Sequence, residues 1–265
     1  MSELAERPLA AVTGASSGIG LALARQFAQH GYDLVLVADD PAITTAAAQL
    51  RDGGTTVRAA QLDLTSYDAV EQFYDLITDE GRPLDALAVN AGVGVGGAFV
   101  DNDLAAELRL IELNVASAVH LAHRALADMA RQGHGRVLFT SSIAATMPGP
   151  YFATYAASKA FLYSFAEALR AEVEDSGVHV TALLPGPTDT PFFERAGMQD
   201  TKVATGPKDD PDDVAREAYE ALMAGDDQVV AGSFRNRLQT KAARVLPEKV
   251  KAHLHGRQTE PGSGK

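Results

Sequence analysis

The 265-residue chain contains no cysteine, which excludes disulfides and thiol chemistry. Basic residues are in deficit: 23 Lys and Arg face 35 Asp and Glu, for a formal charge of −12. Phosphate polymers would be repelled, so no nucleic acid is expected as a partner. No apolar run approaches the roughly 20 residues that span a bilayer. Residues 1–7 are short and polar, without a targeting pattern, and are expected to be flexible. Together these absences point to a cytoplasmic protein with no integral membrane segment. No solenoid-type repeat is present. His120 and His123 lie three apart with no further ligand at metal-binding spacing, so no metal site is expected. Ser142 lacks a Gly-x-Ser-x-Gly elbow, which argues against a serine hydrolase.

With 46 % hydrophobic and 22 % charged residues, the chain has enough apolar material for one sizeable core. Leu9 to Val12 forms a short apolar run ending in Thr13-Gly14-Ala15-Ser16-Ser17-Gly18-Ile19-Gly20, and a helical pattern follows through Leu21, Leu23, Phe27 and Ala28. In a strand-turn-helix of this kind, glycines admit a pyrophosphate close to the backbone, and the helix N-terminus offers free N–H groups. The same glycines also suit a plain tight connection.

A second apolar run, Asp33 to Ala38, ends in Asp39-Asp40. An acid about 20 residues beyond the glycines can bond the adenosine ribose hydroxyls and repel a 2′-phosphate, favouring NAD(H) while NADP(H) stays open. The competing reading makes the two acids a cap for the helix after Pro41. The alternation continues with strands near 57–62, 85–89, 136–140 and 178–184, and helices near 42–51, 66–79, 103–131 and 155–175. It predicts an α/β chain with a doubly wound parallel sheet. Ligands of such sheets sit at the carboxyl ends of the strands. The glycine turn, Asp63, Asn90, Ser142, Pro185 and Gly186 all fall there.

One stretch carries the chemistry. Thr140-Ser141-Ser142 is followed by a Gly/Pro-broken loop and then by Tyr155-Ala156-Ala157-Ser158-Lys159. Residues four apart share a helix face, so an ammonium at Lys159 can favour the phenolate of Tyr155 and lower its pKa. The spacing alone equally describes a surface Tyr/Lys pair. Reducing a carbonyl builds charge on oxygen, which calls for a donor, Ser142, and a proton source, Tyr155.

Residues 188–208 read as an irregular cover over a site, with Phe192, Phe193 and Met198 among polar residues. Asp210-Pro211 opens a helix to Ala224, and Gln228 to Ala231 is a last strand. The segment 233–257 is basic, with Leu238, Ala242, Val245 and Leu246 at helical spacing. It reads as an amphipathic helix on the core, or as a subunit or membrane-surface contact. Residues 258–265 are polar and Gly-containing and are expected to be disordered.

As a set, Thr-Gly-Ala-Ser-Ser-Gly-Ile-Gly at 13–20, Asn90-Ala91-Gly92, Ser142, Tyr155-x-x-x-Lys159 and Pro185-Gly186 resembles the short-chain dehydrogenase/reductase family of the unextended type, over residues 8–232. The resemblance implies a Rossmann fold with a seven-stranded parallel sheet, and Asn114, Ser142, Tyr155 and Lys159 as a catalytic tetrad, with Asn114 holding a water that connects Lys159 to solvent. It implies cofactor contacts from Gly14, Ser16 and Ile19, an adenine site at Asp63 and Leu64, cofactor-lining roles for Asn90, Ala91 and Gly92, and contacts from Thr188 and Thr190. Asp39 stands where NADP-dependent relatives usually carry Arg. The expected activity is hydride transfer between nicotinamide and a hydrophobic secondary alcohol or ketone. The alternatives are a 3-oxoacyl-carrier-protein type reductase, and a non-catalytic dinucleotide sensor. A homodimer or homotetramer through the helices at 103–131 and 155–175 is implied by the resemblance.

Overall fold

The computed structural model describes residues 7–264 apart from 52, 80, 234–235, 239 and 241–245. Seven parallel strands form one sheet: Leu9–Thr13 (β1), Asp33–Ala38 (β2), Val57–Gln61 (β3), Ala86–Val89 (β4), Gly135–Thr140 (β5), Val178–Leu183 (β6) and Gln228–Val229 (β7). Their spatial order is β3-β2-β1-β4-β5-β6-β7. The order reverses between β1 and β4, the crevice where such sheets bind ligands.

Strands buried on both faces need apolar residues at every position, and β1, β2 and β4 are buried throughout. Leu9 and Ala11 point to one layer, packed by Phe73 of Tyr67–Thr78 (α3), Leu121 of Ser117–Gln132 (α5) and Leu162 of Ala153–Val173 (α6). Ala10 and Val12 point to the other, packed by Phe27 of Gly18–Gln29 (α1), Ile43 of Ala42–Arg51 (α2) and Val214 of Pro211–Ala224 (α9). Burying one such Phe or Leu contributes about 1.5–3 kcal/mol. The doubly wound arrangement follows from this two-sided burial.

The helix expected over 103–131 is interrupted. Leu104–Ile111 (α4) passes through a π-helical turn, Glu112–Ala116, into α5. That widened turn carries Asn114, and single π turns are frequent at functional sites. The irregular stretch 188–208 contains two one-turn helices, Phe192–Arg195 (α7) and Lys202–Thr205 (α8).

The C-terminal region departs furthest from expectation. Of its predicted apolar stripe, Ala242 and Val245 lie outside the described residues, while Leu238 is 58 % exposed. Asn236 and Thr240 are the buried residues instead. Nor are residues 258–264 a disordered tail: Glu248–Thr259 forms a helix (α10), and Thr259 is 1 % exposed, its hydroxyl donating to the carbonyl of Pro150 at 2.6 Å. Ser263 and Gly264 continue the packing. The Ser263 hydroxyl accepts from the Lys202 N–H at 3.1 Å, and the Gly264 N–H donates to Asp200 O at 2.8 Å.

Candidate active site

The glycine turn packs against the loop after β4 with almost no room. Gly14 has φ +67°, and a Cβ there would lie 2.9 Å from Ala91 Cα; one on Gly20 would lie 2.1 Å from Gly14 O. Only glycine permits this backbone approach. Asn90 fixes the neighbouring strand ends. Its side-chain amide donates to Thr13 O at 3.0 Å and its Oδ1 accepts from the Thr140 hydroxyl at 3.1 Å, which ties β1, β4 and β5 together at their carboxyl ends. Thr13 Oγ1 in turn accepts from the N–H groups of Asn90 and Ala91, both at 2.9 Å.

One cavity of about 540 Å³ runs along these strand ends. It is lined by Gly14, Ser16, Ser17, Gly18, Ile19 and Gly20 in the turn, by Asp39, Asp63 and Leu64 at one end, and by Asn90, Ala91 and Gly92. Ser142, Tyr155, Lys159, Pro185, Gly186, Thr188 and Thr190 line it as well. Asn114, buried behind the wall, is the one predicted site residue that does not.

The two acids after β2 face different surroundings. Asp40 Oδ1 accepts from the Ala42 N–H at 2.8 Å and so caps α2, while Asp39 faces the cavity. Arg109 of α4, which the sequence did not single out, sits between two acids. It donates to Asp63 Oδ2 at 2.8 Å and lies 4.0 Å from Asp39 Oδ2. Burial pushes the Asp63 carboxyl up, but the bonds from Arg109 and Thr65 outweigh it and hold the group below its ordinary value.

At the other end, Tyr155 and Lys159 are both buried on α6. The Tyr155 ring stacks on Phe152 at 4.2 Å and meets Phe192 at 5.1 Å. Lys159 Nζ lies 5.6 Å from the centre of the Tyr155 ring and donates to Thr140 O at 2.8 Å. Burial pushes the Lys159 ammonium down to about 8. It also pushes the Tyr155 phenol up, partly opposed by a hydrogen bond with Ser142. The expected lowering of the phenol by Lys159 is therefore not seen: removing the phenolate from water costs more than this geometry returns.

Ser142, two residues past β5, has extended backbone, and its Oγ also accepts from the Ala144 N–H at 3.1 Å. Asn114 spends both amide hydrogens, on Val93 O at 2.9 Å and Ser158 Oγ at 3.0 Å, and accepts from the Val93 N–H at 2.9 Å. The π turn aims this amide across to α6, a reach that sequence spacing does not reveal.

The arrangement fits a long, flat, anionic ligand. Glycines at 14, 18 and 20 keep the turn's backbone close to the cavity, and acids, a phenol, a hydroxyl and an amine line the same cavity. The family model of short chain dehydrogenases matches residues 8–201. The chain belongs to the short-chain dehydrogenase family.

Among its relatives in this family is the 1-deoxy-11-beta-hydroxypentalenate dehydrogenase of Streptomyces exfoliatus, 35 % identical over 222 residues that cover 80 % of this chain and 78 % of the relative. A short-chain dehydrogenase from Sphingobium yanoikuyae, solved in complex with NADPH, is 32 % identical with a TM-score of 0.78, covering 84 % of this chain and 87 % of its own. The bulky-bulky ketone specific alcohol dehydrogenase from Comamonas testosteroni is 28 % identical with a TM-score of 0.75, covering 89 % and 92 %. This dehydrogenase is accordingly an oxidoreductase with a nucleotide-binding Rossmann fold.

Several residues that line the cavity carry no signal in the sequence. Arg195, Lys202 and Lys208 stand on the wall formed by 192–208. Lys208 is held 3.6 Å from Asp189, and Arg195 bonds Asp40 at 2.9 Å. His255, Gln258 and Thr259 of α10 also line it. The isolated pair His120 and His123 lies elsewhere: His120 stacks on Tyr67 at 4.3 Å and bonds Glu71 at 2.5 Å.

Proposed function

We propose that this enzyme transfers hydride between NAD(H) and a hydrophobic secondary alcohol or its ketone. The observation that carries the reading is the convergence of Ser142, Tyr155 and Lys159 in the same cavity as the glycine turn. When bound, the nicotinamide supplies the hydride. Ser142 donates to the substrate oxygen and holds it beside the phenol. Tyr155 gives its proton to that oxygen in reduction and takes it back in oxidation. A buried phenol kept protonated is suited to donation, and the ammonium of Lys159 offsets the charge left when the proton departs. Asn114 acts as a positioning residue, bracing the Val93 loop against Ser158, one residue before Lys159. Both of its amide hydrogens are committed, so a water linking Lys159 to solvent would have to donate to an Asn114 oxygen.

The preference for NAD(H) rests on charge. Asp39 and Asp63 contribute two negative charges near Arg109, which contributes one positive, so one net negative charge remains where a 2′-phosphate would lie. Arg109 is also already bonded to Asp63. The apolar substrate is supported by Met147, Phe152, Phe192 and Phe193 lining the cavity near Tyr155. Pairing into a homodimer or homotetramer is supported by Leu104 and Leu108 on α4 and Phe161 on α6, which expose apolar side chains.

Reduction of an aryl alkyl ketone with NADH carrying two deuterium atoms at C4 tests the chemistry. Deuterium at the carbinol carbon of the product, read by mass spectrometry, is expected. Alcohol formed without the label, or no alcohol with either NADH or NADPH, would remove the proposal.

A further inference from the structure

Helix α10 brings polar side chains to the aromatic end of the cavity. His255, Gln258 and Thr259 line it together with Met147, Phe152 and Phe192. The helix is held on two sides. Thr259 bonds Pro150 O at 2.6 Å on the loop that leads into α6, and Ser263 and Gly264 bond Lys202 and Asp200 on the loop that carries α8. Gly149 lies between His255 and the start of α6: a Cβ on it would be 2.6 Å from Ala156 Cβ and 3.7 Å from His255 Cε1. His255 therefore stands beside the start of α6, the helix that carries Tyr155.

The protonation of its ring follows from one contact. His255 Nδ1 is 2.9 Å from Pro148 O, and a carbonyl only accepts, so Nδ1 carries the hydrogen. His255 is 8 % exposed, and burial holds its pKa below the ordinary value although the Pro148 bond pulls the other way. The ring is then neutral, and Nε2 is a bare acceptor with no hydrogen-bond partner in the protein among the described residues. Nε2 is not enclosed by protein atoms and so stays open to a donor from the cavity that His255 lines.

We infer that the substrate carries a second polar group, a hydroxyl remote from the reacting carbon, which donates to Nε2 of His255. The enzyme would thus select amphiphilic ketones and alcohols over purely apolar ones, with His255 as a specificity-determining residue. This rests on the oxidoreductase reading above and narrows its substrate class.

The test uses the full-length enzyme with NADH and 4-aryl-2-butanones bearing a hydroxyl at the ortho, meta or para position, each against its methoxy counterpart, which accepts but does not donate. At least one hydroxyl isomer should exceed its methoxy partner by about tenfold or more in kcat/KM, mainly through KM. His255→Asn retains an N–H near Nδ1 for Pro148 and lacks an acceptor at the Nε2 position, so the ratio should fall to about one. His255→Gln, which places an amide oxygen at that depth, should recover part of it. Calorimetric binding of the matching alcohols to the NADH complex should give the same ratio without turnover. No preference in any isomer, or a preference that survives His255→Asn, overturns the inference while leaving the oxidoreductase reading standing. Failure of the wild-type enzyme to reduce any ketone of the set would overturn both.

Discussion

Lys159 Nζ donates to the carbonyl oxygen of Thr140, 2.8 Å away, and so joins the start of α6 to the end of β5 beneath Tyr155. The bond accounts for one of the ammonium's three hydrogens. It also fixes the amine in a buried place where its charge is expensive.

That expense gives a stability prediction. Burial lowers the Lys159 pKa from 10.5 to about 8. Below pH 8 both folded and unfolded chains hold the proton, and nothing changes with pH. Between 8 and about 10 the unfolded chain holds more of it, so stability rises with pH by up to roughly 1.4 kcal/mol per unit. Urea unfolding at pH 8, 9 and 10 should show this rise in the wild type and a flatter profile in Lys159→Met. Parallel profiles would mean that the amine titrates as it does in water.

Asp39→Arg should reverse the local charge and shift the ratio of NADPH to NADH affinity by at least about tenfold towards NADPH. Calorimetric titration with each cofactor at one fixed salt concentration measures it. An unchanged ratio would show that Asp39 does not read the ribose. Asp40, the helix cap, acts on stability: Asp40→Ala should lower it by about 1 kcal/mol.

Asn114→Ala leaves the Val93 N–H, the Val93 carbonyl and the Ser158 hydroxyl each short of a partner. Unsatisfied buried groups cost about 1–3 kcal/mol apiece before relaxation. A loss of about 2–4 kcal/mol in unfolding free energy is expected, with kcat falling and KM for the ketone changing little. A variant as stable as the wild type would show that the π turn does not depend on this amide.

What could be read in the sequence was local or periodic. Continuous apolar strands, the glycine turn and Tyr155-x-x-x-Lys159 declare themselves within a few residues, and the β-α alternation orders them along one sheet edge. That Asp40 caps α2 while Asp39 lines the cavity was hidden because adjacent acids fit either place, and the local sequence does not say which one faces inward. The π turn at Glu112–Ala116 interrupts a pattern that reads as one long helix. His255 was invisible for another reason. Within a basic segment it resembles a solvated residue, and its burial depends on Pro148, 107 positions earlier. Residues 258–264 misled by composition: they are polar and flexible in character, yet Pro150 and Asp200 supply acceptors that the local sequence cannot show.

The most direct measurement compares wild type with Tyr155→Phe, following NADH consumption with an aryl ketone alongside cofactor affinity by calorimetry. Loss of the phenol's proton should lower kcat by at least about a hundredfold while the NADH dissociation constant stays within about threefold. Retained turnover in the variant would contradict Tyr155 as the acid and base of this site.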